Sequence, residues 1–94
     1  MFTVNEINEF KSLGKEFPWI DNCEITSEYI SFSDKMFHDK WRMLPNASKA
    51  GFRYSIQHCL KGMGFVYSNT GSSIRGALSN LDTLLCKRNM ELNK

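Results

Sequence analysis

Acidic residues nearly vanish from the second half of this chain. Between Trp41 and Lys94 only Asp82 and Glu91 carry a carboxylate, against eight bases, a net charge of +6. Residues 1–40 hold eight acids and four bases, a net of −4, so the modest +2 of the whole conceals a strong asymmetry. Proline is almost as scarce: Pro18 and Pro45 are the only two. No Pro-, Gly- or Ser-rich linker, internal repeat or low-complexity tract divides the chain, so the expectation is one domain, 1–94, with room for a single modest core. Long apolar runs are missing too, which excludes a membrane-spanning helix, and no signal-peptide pattern opens the chain. The three cysteines, Cys23, Cys59 and Cys86, are odd in number and widely spaced. They suit reduced thiols in a cytoplasmic protein rather than a disulfide framework.

The same scarcity limits chemistry. No Cys-x-x-Cys occurs, and His38 and His58 are the only histidines. Asp34 and His38 at i, i+4 make two ligands, which is not a metal site. Cys59 and Cys86 fall on or beside expected apolar stripes and read as core residues. The N-terminal acids sit in no recognisable acid–base motif, and solvation accounts for them better. The expectation is a non-enzymatic protein with no cofactor and no metal.

What is present is hydrophobic patterning and an abundance of rings. Thr3-Val4-Asn5-Glu6 has the form of a capping box, followed by Ile7, Phe10, Leu13 and Phe17 at helical spacing. This predicts a helix over about 4–16, ended before Pro18. Cys23 to Ser33 is rich in Ile, Thr, Tyr and Phe, but its alternation slips at Ser27-Glu28. A bent strand and a tight hairpin both fit. Ser33 or Asp34 can cap a short helix carrying Phe37, Trp41 and Leu44, stopped at Pro45. A further helix is expected over about 47–62, with Phe52, Ile56, Cys59, Leu60 and Met63 as its stripe. Phe65-Val66-Tyr67 favours strand, and Asn69-Thr70-Gly71 reads as a turn. The clearest pattern is Ile74, Ala77, Leu78, Leu81, Leu84 and Leu85, which predicts a helix over about 72–89. Gly76 inside it points to close packing or close approach of a ligand. The fold expected is α+β and mainly helical, about four helices with a small β element of one to three short strands.

Function is approached through the charge. A basic half attracts nucleic acid, an anionic membrane or an acidic partner. On the expected helices 47–62 and 72–89, Lys49, Arg53, Arg75, Lys87 and Arg88 become candidate phosphate contacts. Ser72 and Ser73 could position a phosphate at a helix N-terminus, although ordinary capping uses the same residues. Helix, connection and basic helix resemble helix-turn-helix and winged-helix readers in texture, over about half the chain. The connection from Gly64 to Gly71 is longer than that motif's turn of about three to four residues. Among the rings, Trp19, Trp41 and Tyr54 are the candidates for an exposed partner-binding patch, because a chain this short cannot easily bury seven Phe, three Tyr and two Trp. The leading expectation is a small cytoplasmic binding protein acting on nucleic acid or a nucleoprotein complex. The alternative is a protein–protein interaction module, a small inhibitor or adaptor of the kind mobile elements encode, or a homo-oligomer.

Overall fold

The computed structural model describes residues 1–45 and 53–93. Among these, the chain forms helix α1 (Val4–Ser12), strands β1 (Ile20–Ile25), β2 (Ile30–Asp34), β3 (Lys40–Pro45), β4 (Tyr54–Leu60) and β5 (Gly64–Gly71), and helix α2 (Ile74–Leu92). The strands pair in chain order as an antiparallel meander, β1-β2-β3-β4-β5. The mainly helical, four-helix expectation is therefore wrong: the described residues hold two helices and a five-stranded sheet.

Both end helices follow local rules. Thr3 caps α1, its hydroxyl taking the Glu6 N–H while the Glu6 side chain takes the Thr3 N–H, the reciprocal capping box. Ser73 caps α2 by accepting from the Gly76 N–H at 2.9 Å. The first hairpin joins β1 and β2, and the slip at Ser27-Glu28 is its turn, fastened by the Thr26 side chain to the Glu28 and Tyr29 N–H groups.

The expected short helix after Asp34 is instead a turn followed by β3. Asp34 uses the chemistry expected of a cap to hold a hairpin. Fully buried, its carboxyl group accepts from the Phe37 N–H, the Asp39 N–H at 3.2 Å and the Trp41 indole N–H at 2.8 Å. His38 completes the turn in the left-handed region at φ 59°. The expected helix over 47–62 is overturned by β4. Its first residues lie outside the described ones, but Tyr54–Leu60 pair with both β3 and β5. Asn69-Thr70-Gly71 ends β5 rather than forming a turn.

Strand alternation sorts side chains to two faces. Ile30, Phe32, Trp41, Met43 and Ile56 point to one face, where Phe10 of α1 and Ile74, Ala77, Leu78, Leu81 and Leu85 of α2 complete the core. Phe10 meets Phe32 with ring centroids 5.8 Å apart. Close approach of helix to sheet falls at Gly71 rather than Gly76: a Cβ on Gly71 would lie 2.3 Å from the Ala77 backbone nitrogen. Leu84, expected on the apolar stripe, is exposed, and so are all residues of α2 after Leu85. Among the described residues no helix is long and apolar enough to cross a membrane.

Candidate functional site

The residues singled out for partner binding are not on a common exposed patch. Trp19 and Trp41 are buried, at 6% and 5% exposure, which corrects the expectation of exposed indoles. The reason is that each indole N–H finds a side-chain acceptor inside the fold: Trp19 donates to Asp82 at 2.8 Å and Trp41 to Asp34 at 2.8 Å. Trp41 also stacks on His58, centroids 4.1 Å apart. Tyr54 is half-buried, stacked on Phe2 and donating its hydroxyl to Glu6. That bond, backed by the Thr3 N–H, holds the Glu6 carboxyl below the usual range. Burial first, then the same bond, pushes the Tyr54 phenol up to about 12.

The basic residues separate into two groups. Those of α2 are largely answered by acids of the N-terminal half. Arg75 clasps Glu16, its Nε donating to both carboxylate oxygens at 2.9 Å. Arg88 donates to Asp39 at 2.7 Å and lies over the Phe37 ring at 4.1 Å. Asp39 is shared, since His58 Nε2 lies 3.3 Å from the same oxygen. That contact is within ion-pair range but not aligned as a hydrogen bond, and His58 Nε2 has no hydrogen-bond partner among the described residues. Ser73 is consumed by the helix cap, and Ser72 stands exposed before it. Lys87 is exposed on α2. With β4 in place of the expected first helix, the helix–connection–helix arrangement that resembled helix-turn-helix readers is absent.

The second group lies on β3, β4 and their turns. From Lys40 to Leu81 the chain contains no Asp or Glu, and this stretch supplies the three consecutive strands β3, β4 and β5. Lys40 and Arg42 alternate onto the face opposite the core. Arg53 is exposed at the start of β4 and Lys61 in the turn before β5. Lys49 lies outside the described residues. Acids return to this face only at the β1 edge, where Asp21 and Glu24 pair across from Ser33 and Ser31.

Arg42 is the centre of that face. The register sets it between Ser31 of β2 and Gln57 of β4. Its Nη2 and Nε both donate to Gln57 Oε1, at 2.7 and 3.1 Å. Its guanidinium lies 4.1 Å from the Phe65 ring centroid and 5.7 Å from that of Tyr29. Guanidinium over an aromatic face is an attractive arrangement. Arg42 makes no ion pair among the described residues. Beside Gln57, across the β4–β5 ladder, stands Tyr67, whose side chain projects into solvent with 68% of its surface exposed. Cys59 and Phe65 are opposite partners on the same face. Among the described residues no helix covers it.

Arg42, Gln57, Phe65 and Tyr67 are not among the residues that the sequence pattern singles out. The signal that points to them is the acid-free stretch combined with strand alternation, and the helical spacing of the apolar residues around β3 and β4 hides that alternation. No group of His, Cys, Asp or Glu among the described residues could hold a metal ion. The chain matches no family model, no curated protein and no solved structure.

Proposed function

We propose that this chain is a small non-enzymatic binding protein whose partner is nucleic acid, held on the helix-free face of β3–β5. The observation that carries this reading is Arg42. It is a central base on a surface with no acid on its three strands, held in place by Gln57 and Phe65, with donors left over for a phosphate. Lys40 shares its face, and Arg53 and Lys61 stand exposed at the two ends of β4. This moves the basic surface away from α2, whose arginines are engaged by Glu16 and Asp39. Free thiols at Cys23, Cys59 and Cys86 go with a reducing, intracellular site of action as part of the same proposal.

Phosphate contacts are salt-dependent and carry little sequence information. Titration of labelled oligonucleotides at stepped salt concentrations, read by anisotropy, is the direct test. Affinity should fall steeply with salt. Replacing Arg42 and Lys61 together by Ala should flatten the salt slope by about 2, about one per base lost. Equal slopes for the parent and the double variant would remove the assignment.

A second reading, a protein partner or self-association, is favoured by a different observation. α2 outruns its packing: Leu85 is its last buried residue, and Leu84, Met90 and Leu92 stand exposed. A stable oligomer at micromolar concentration, lost on changing Met90 and Leu92 to Ser, would support that reading instead.

A further inference from the structure

We infer that the nucleic acid taken by this face is single-stranded, with bases stacked on Tyr67 and on the outer side of the Arg42 guanidinium. The inference rests on the nucleic-acid reading above and adds the strand form.

Three features argue for it. The first is shape. A duplex major groove is about 12 Å wide and admits a helix or a two-stranded ribbon. The face here, β3–β5, lies within a five-stranded sheet whose outer strands, at about 4.8 Å per step, are about 19 Å apart before side chains are counted. It presents a broad platform rather than a projecting helix or two-stranded ribbon. Of the described helices, α1 carries one exposed base, Lys11, and α2 packs by its first three turns with both arginines tied to Glu16 and Asp39, leaving Lys87 exposed.

The second feature is the kind of side chain displayed. Phosphate neutralisation alone needs only bases. This face adds an exposed ring at Tyr67 and a guanidinium placed over the Phe65 ring. Rings and guanidinium planes stack on the faces of unpaired bases, which a duplex keeps hidden. Tyr67 and Gln57 are opposite partners across β4 and β5, and Gln57 holds Arg42, so the two stacking surfaces sit in one row across three strands.

The third is charge placement. Phosphates between stacked bases need cations nearby, and Lys40 shares the face while Arg53 and Lys61 stand exposed at the two ends of β4. Asp21 and Glu24 at the β1 edge repel phosphate, so the strand runs over β3–β5 and not across the whole sheet.

The experiment compares fluorescein-labelled 12-mers at about 50 mM salt: single-stranded DNA, single-stranded RNA, and duplexes of the same sequences. Single strands should bind at least tenfold more tightly than duplexes, and the DNA and RNA arms decide between the two sugars. Tyr67→Ala should weaken single-strand binding about tenfold, since base–aromatic stacking is lost. Tyr67→Phe should retain it. Because Tyr67 is exposed, both variants should melt as the parent does, which separates lost stacking from lost folding. Duplex binding equal to or tighter than single-strand binding overturns the strand form and leaves the nucleic-acid reading standing. Unchanged single-strand binding by Tyr67→Ala overturns the stacking site. No binding of any oligonucleotide at low salt overturns both readings together.

Discussion

The two faces of the sheet are made from the same short strands, yet they treat polar groups in opposite ways. On the helix-covered face the indoles and the phenol are satisfied within the fold: Trp41 by Asp34, Tyr54 by Glu6, Trp19 by Asp82. The acids of the N-terminal half also reach out to α2, through Glu16 to Arg75 and Asp39 to Arg88. On the uncovered face, Arg42 is positioned but not neutralised, and Tyr67 is left in water. Part of the charge asymmetry of the sequence is thus consumed in bringing its ends together. What remains is concentrated on β3–β5. A substitution on the covered face should therefore cost stability, and one on the uncovered face should cost binding.

The sharpest way to break this division is Trp41→Ala. The indole is buried, stacks on His58 and supplies one of three hydrogen bonds to the buried Asp34. Large-to-small changes of this kind cost about 3–5 kcal/mol, and the lost hydrogen bond to a buried carboxyl group adds to that. Chemical denaturation should show a lower midpoint with little change in slope. A loss below about 1 kcal/mol would mean that the Asp34 turn does not depend on the ring.

Next in size is Gly71→Ala, at the seam between β5 and α2. The new methyl meets backbone atoms of Ala77 at 2.3 and 2.6 Å, which cannot rotate away. Strand and helix must separate, at a cost of about 1–3 kcal/mol. Gly76→Ala is the paired control. Its methyl meets only the Ser73 hydroxyl at 3.0 Å, and alanine favours a helix interior, so the change should be close to neutral. Thermal melts of the two variants side by side decide whether the glycine that matters is the one in the helix or the one before it.

Smaller still is the pH dependence of the Glu6–Tyr54 contact, which ties α1 to β4. Glu6 has a lowered folded-state value, so its contribution is present above the ordinary carboxylate range near 4.5 and is lost as pH falls through the folded value. Tyr54 has a raised value, so its contribution is present below about 10 and is lost as pH rises from about 10 to about 12. Both groups are partly solvated, which keeps each effect below about 1 kcal/mol. Melting temperature against pH should therefore shoulder at both ends, and Tyr54→Phe should remove the alkaline shoulder. An unchanged alkaline limb would show that the phenol does not hold its proton in this contact.

How far the sequence foretells this division depends on range. Features set by neighbours in the chain are legible: the Thr3–Glu6 box, the α2 stripe, and the slip at Ser27-Glu28, which fits a bent strand as well as the hairpin turn it forms. Strands β3 and β4 are not, for a specific reason. On β4 the core face holds Ile56 and His58, while Cys59 points the other way. A histidine inside and apolar groups on the open face destroy the alternation by which a half-buried strand is recognised. The remaining apolar residues, Ile56, Cys59, Leu60 and Met63, then fall by accident at helical intervals. The indoles misled for a related reason. Trp19 is buried because of an acceptor 63 residues away, which no local pattern reveals. The candidate surface shared this fate: Arg42, Gln57, Phe65 and Tyr67 come together only through strand register.

The smallest expected effect distinguishes the two sets of bases most directly. Arg75 and Glu16 form their pair in full solvent contact, and Glu16 is held below its usual range chiefly by the Arg75 hydrogen bonds. Exposed pairs of this kind contribute little to stability, because water and salt compete for both partners. Arg75→Ala should therefore leave the melting temperature unchanged within error. It should also leave the salt slope of oligonucleotide binding unchanged, because Glu16 already answers that charge. Arg42→Ala should reduce the slope by about 1 at nearly constant stability. If instead Arg75→Ala lowered the slope and Arg42→Ala did not, the working charge would lie on α2, and the open face of the sheet would be only a surface.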